Sequence, residues 1–64
     1  MLNTKPNIDD ADTFYAELIA IYDKHTDIEC EVISARLVLI LANHIGDRKI
    51  LHEALKLSKN VLTV

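Results

Sequence analysis

The chain has 64 residues, half of them hydrophobic, with one cysteine, one glycine and a formal net charge of −3. That length makes one domain near the lower limit for independent folding, where a chain buries only about 60% of the surface it exposes when unfolded. The lone Cys30 excludes an internal disulfide and suits a reducing cytoplasm, no zinc-ligand spacing is present, and oligomerisation is left as the staple that so small a core needs.

Residues 1–8 carry Asn3, Pro6 and Asn7 and lack periodicity, so they read as an extended arm. Met1-Leu2-Asn3-Thr4-Lys5-Pro6 has no apolar stretch of the secretory kind, and the chain is expected to stay in the cytoplasm. Helix 1 is predicted over about 10–25. Asp9, Asp10 and Asp12 suit the positive end of a helix dipole. Ala11, Phe14, Leu18, Ile21 and Tyr22 fall on one arc with Tyr15 at its edge, while Asp12, Glu17, Asp23 and Lys24 lie outside it.

Helix 2 is predicted over about 27–45. Thr26-Asp27-Ile28-Glu29 reads as a capping box, with Thr26 accepting from the third backbone N–H and Glu29 reaching back. Leu37-Val38-Leu39-Ile40-Leu41-Ala42 points apolar side chains in every direction around the axis. A helix that is apolar all round must be buried on more than one side, and a chain this short hardly covers it alone. The stretch from Val32 to Ile45 spans 14 residues and contains Ser34, Arg36, Asn43 and His44. A membrane span needs about 20 predominantly apolar residues, so a buried helix is expected and a membrane is not.

Gly46, the one glycine, sits where a left-handed C-cap residue is wanted, and Asp47 follows as an N-cap. Helix 3 is predicted over about 48–62. Ile50, Leu51, Ala54, Leu55, Leu57, Ser58, Val61 and Leu62 form its apolar arc; Arg48, Lys49, His52, Glu53, Lys56 and Lys59 form the other face. The charge divides unevenly, −6 over residues 1–32 and +3 over residues 33–64. Helix 1 packing beside helix 3, or beside a copy of it, accounts for this better than a basic patch for an acidic partner.

Four groups of residues carry the candidate chemistry. Glu29, Arg36 and Asn43 recur every seven residues on one side of helix 2. Polar residues set in an apolar helix commonly fix register between helices, and a buried Arg needs a carboxylate or carbonyl partner. Arg36, Leu37, Leu39, Ile40, Leu41 and Asn43 are therefore expected at a helix 2 interface between copies, with Arg36 buried and paired there. If two such helices cross antiparallel near Arg36, Glu29 of one approaches Asn43 of the other. The alternative for Arg36, Asn43 and His44 is a pocket for a small anionic ligand.

His44, Asp47 and His52 gather at the second turn, but their spacing fits no metal motif, and a His near a helix C-terminus is favourable as a cation. No metal or cofactor is expected. Tyr15, Tyr22 and His25 read as packed rings with wet polar tips. Cys30 lies near a helix N-terminus, where a thiol pKa can fall, yet it has no second cysteine and no paired His. The turn before helix 3, with Arg48, Lys49, His52 and Lys56, permits a helix-turn-helix reading as a DNA-binding regulator. The pI of about 5.4 argues against it, since DNA binders carry a strongly basic footprint.

Pro6-Asn7, Asp12-x-Phe14-Tyr15-x-x-Leu18-Ile19, the run Ala35-Arg36-Leu37-x-Leu39-x-Leu41-Ala42-Asn43-His44-Ile45-Gly46-Asp47 and Leu51-x-Glu53-Ala54-Leu55 together resemble a family of very small bacterial proteins, the domain-of-unknown-function family 2783. The resemblance spans nearly the whole chain and is most specific over Ala35–Asp47. The family pattern has Asn before the Ala-Arg pair, where this chain has Ser34. The resemblance implies a complete small protein. Family members encoded near flavin-dependent aromatic hydroxylases and other catabolic enzymes imply an accessory role.

The expectation is an all-α protein, a three-helix up-down bundle with a short N-terminal arm, self-associating through helix 2 as a dimer or larger. Its expected role is interaction, as an accessory or regulatory subunit of a metabolic enzyme. A ligand-binding module and a DNA regulator are the alternatives. An enzyme is not expected, because so short a chain leaves little room for a dry cleft with positioned acid, base and binding groups.

Overall fold

The computed structural model describes residues 1–60, which form three helices and no strand: α1 (Ala11–Asp23), α2 (Asp27–Ile45) and α3 (Arg48–Lys59). The residues Val61 and Leu62, expected to extend α3, lie outside the described part of the chain. Residues 1–8 contain no helix or strand. The Leu2 backbone N–H donates to Glu53 Oε2 at 3.0 Å, which ties the arm to α3.

Each helix starts on a side chain that satisfies otherwise orphaned backbone donors. Asp10 caps α1, its carboxylate accepting from the Thr13 backbone N–H at 3.4 Å and from the Thr13 hydroxyl at 2.7 Å. Asp10 does so at φ +49°, in the left-handed region, which Asp enters more readily than most residues. The α2 capping box is complete. Thr26 Oγ1 accepts from the Glu29 N–H at 3.2 Å, and Glu29 Oε1 accepts from the Thr26 N–H at 2.9 Å. Asp47 Oδ1 accepts from the backbone N–H groups of Lys49 at 2.9 Å and Ile50 at 3.2 Å.

The helix ends are equally specific. α1 stops at Asp23, two residues before the expected His25, because its last turn tightens. Lys24 N–H bonds Ile21 O and His25 N–H bonds Tyr22 O, both i to i−3 contacts of the 3₁₀ kind. His25 Nδ1 also lies 2.7 Å from Ile21 O. A carbonyl only accepts, so this nitrogen carries the proton. α2 ends on Gly46 at φ +73°, where the absence of a Cβ makes the left-handed turn inexpensive.

α1 and α2 meet along one side of each. Ala11, Phe14, Leu18 and Tyr22 of α1 and Cys30, Ile33, Ser34 and Leu37 of α2 are half-buried, whereas the residues between them are exposed; Ala42, off that line, is also half-buried. Tyr22 Oη and Ser34 Oγ share a hydrogen bond at 2.5 Å, and the Cys30 thiol donates to Tyr22 O at 3.4 Å. On α3, Ile50, Leu51 and Ala54 are the half-buried residues. No described residue is fully buried. The helices therefore form a layer around a shared seam, not a shell around a closed core.

Candidate functional site

A compact folded protein of 7.2 kDa exposes about 4,100 Å² of surface. This chain exposes 6168 Å². Its radius of gyration is 13.4 Å, against about 11 Å for a compact chain of this length. The excess is about 2,000 Å², and many large apolar side chains are among the exposed residues. Ile28, Val32, Val38, Leu39, Ile40 and Ile45 of α2 are all more than half exposed, as are Ile8, Tyr15 and Ile19 before it and Leu55 and Leu57 after it. These exposed apolar side chains are the candidate interaction surface.

The expected interface residues divide by side. Leu37 is half-buried on the α1-facing side of α2, in line with Cys30, Ile33 and Ser34. Leu41 continues that side and is 47% exposed. Leu39 and Ile40 point away from α1 and are exposed at 70% and 56%. Arg36 and Asn43 flank Leu39 and are exposed as well. Arg36 makes no ion pair among the described residues.

The ligand-binding alternative gains no cleft. Arg36, Asn43 and His44 line neither of two open surface grooves. One, of about 910 Å³, runs from Gly46 past Arg48, Lys49 and His52 to Leu55. The other, of about 480 Å³, lies between the arm and Ala11 and Tyr15 of α1. Both open widely to solvent. Helical periodicity puts Arg36 and Asn43 on one side of α2 and turns His44 roughly a quarter turn away from them.

At the second turn the Asp47 carboxylate is occupied as a helix cap, and His52 faces the open groove beside Arg48. Among the described residues no group of three or more His, Cys, Asp or Glu side chains converges to hold a metal. Burial raises the Cys30 thiol pKa above its ordinary value, and the carboxylates of Asp27, Glu29 and Asp23 push the same way. Burial first, and these acids second, outweigh any lowering by the helix N-terminus. Nor do the acidic α1 and basic α3 pair with each other, since no ion pair joins them among the described residues. Their complementary charges remain free to act between molecules.

No helix of the described residues is long and apolar enough to cross a membrane. A family model described as protein of unknown function (DUF2783) matches residues 2–60. Neither a curated protein nor a solved structure matches the chain.

Proposed function

The chain belongs to the DUF2783 family, and on that premise we propose a non-enzymatic interaction protein that acts in the bacterial cytoplasm. It is a three-helix up-down bundle that self-associates through α2 into a homodimer, and the dimer serves as an accessory or regulatory subunit of a catabolic enzyme. The observation that carries this reading is the surface left uncovered, about 2,000 Å² beyond that of a compact monomer. Removing about half of that from each of two chains makes a total interface of about 2,000 Å², at the lower end of the range of obligate homodimers. A surface spread over the arm, α1 and α3 as well as α2 leaves apolar groups such as Ile8, Ile19 and Leu55 for a second, different partner.

Sedimentation at micromolar concentration should give at least twice 7.2 kDa. A well-folded monomer would overturn self-association. For the accessory role, affinity capture with the tagged dimer from its own cell should retain a metabolic enzyme in fixed ratio. Mobility-shift assays with duplex DNA at about 150 mM salt should show no saturable, sequence-dependent complex, because a chain of net charge −3 lacks the phosphate-binding footprint. Such a complex would favour the regulator reading instead.

A further inference from the structure

Ile28, Val32, Ala35, Leu39 and Ala42 are spaced four, three, four and three residues apart, which is the seam of a coiled coil. The seam lies on the side of α2 opposite Cys30, Ile33 and Leu37, the residues that meet α1; its members are exposed except Ala42, at its edge, which is half-buried. Its three large members are among the most exposed apolar side chains of the helices, with Ile28 at 75%, Leu39 at 70% and Val32 at 65%. Gly46 continues the series by one further step of four. Large and small residues therefore share one seam in a fixed order.

We propose that the occupant of this seam is the α2 of a second copy, running antiparallel with the two-fold axis at the level of Leu37. The inference rests on the self-association proposed above and adds its direction and register. In this register Ile28 meets the partner's Gly46, Val32 meets the partner's Ala42, and Ala35 meets the partner's Leu39. Every layer sets one large residue against one small or absent side chain, so the layers are of even thickness and fill without voids. A parallel pair would oppose Leu39 to the partner's Leu39 and Ala35 to the partner's Ala35. Its layers would alternate between crowded and hollow along a single interaxial spacing.

Charge selects the same direction. The first turns of α2 carry Asp27, Glu29 and Glu31, while His44, Arg48 and Lys49 lie at its far end and just beyond. Antiparallel packing puts the acidic end of each helix beside the basic end of the other. It also opposes the two helix dipoles. Parallel packing would stack acid on acid.

Cross-linking separates the directions. In a Cys30→Ser background, Val38 flanks the seam next to the axis, and a short bismaleimide should join two Val38→Cys chains. Ile28 sits nine residues from the axis, so two Ile28→Cys sites lie about 27 Å apart along it and should not be joined. A packing swap supplies a second readout. Ala35→Leu sets Leu against the partner's Leu39 and should weaken dimerisation about tenfold or more. Combining it with Leu39→Ala exchanges the large and small members of that layer and should restore it. Cross-linking through Ile28→Cys, or a tighter dimer on Ala35→Leu, would overturn the antiparallel register while leaving self-association standing. A dimer by sedimentation that cross-links at neither site would remove α2 from the seam. A monomer would overturn both readings.

Discussion

Thr26 and Glu29 hold the start of α2 through two reciprocal hydrogen bonds. Thr26→Ala removes one of them and should cost about 1 kcal/mol, read as a lower midpoint in denaturant. The Thr26 backbone N–H holds the Glu29 pKa below its ordinary 4.5, with help from the Thr26 side chain and His25. A depressed carboxylate stabilises the folded state above the unfolded pKa, and that contribution disappears as pH falls through the folded one. Helical circular dichroism should therefore decline on acidification below about pH 4.5, and Glu29→Gln should flatten this part of the titration. Cys30, with its raised pKa, should react with iodoacetamide more slowly than a free thiol at neutral pH. Unfolding should restore the ordinary rate. The capping box, Gly46 and Asp47 were legible at this scale because each is a signal written within four residues. The left-handed Asp10 was not, since Asp9 and Asp10 both precede α1 and either is a chemically adequate cap. The Tyr22–Ser34 hydrogen bond was not legible either, because its partners meet only when two helices pack.

The three elements differ in how much of themselves the chain covers. α1 presents one amphipathic face, and its half-buried residues Ala11, Phe14, Leu18 and Tyr22 follow the arc read from the sequence. α2 is apolar all round, so periodicity announces that several faces will be buried but not which one α1 takes. That choice follows from the short link at 24–26, which brings α1 back onto the Cys30–Leu37 side. The far side is left with Ile28, Val32 and Leu39. Leu39→Asp puts a charge at the centre of that side and should abolish the dimer in sedimentation. A control at Lys56, on the polar face of α3, should leave it intact. The candidate interface is a list of residues in the sequence, of which Leu39, Ile40, Arg36 and Asn43 are exposed and Leu37 is half-buried. Its division into an α1-facing and an uncovered side was not readable, because a uniformly apolar run contains no contrast from which to assign a face.

No described residue is fully buried, so the proposed association would supply much of the stability. The thermal midpoint should rise with protein concentration, by linkage between folding and dimerisation. A midpoint constant over about a hundredfold range of concentration would mean that the single chain is sufficient. The connection between α2 and α3 has its own consequence at this scale. It consists of Gly46 and Asp47 alone, and the chain reverses only because Gly46 adopts φ +73°. A Cβ placed there would meet nothing nearer than Asn43 O at 3.8 Å, so crowding does not forbid a larger residue. The obstacle is the backbone, which resists the left-handed conformation in any residue with a Cβ by about 1–2 kcal/mol. Gly46→Ala thus favours straightening the bend into one rod from Asp27 to Lys59, roughly 50 Å long. The rod would carry α3 off its own neighbours and onto those of another chain. Two molecules could then trade their C-terminal helices, and repeated trading would string them into open chains. On the proposed reading, one hydrogen atom in place of a methyl group would keep the assembly finite.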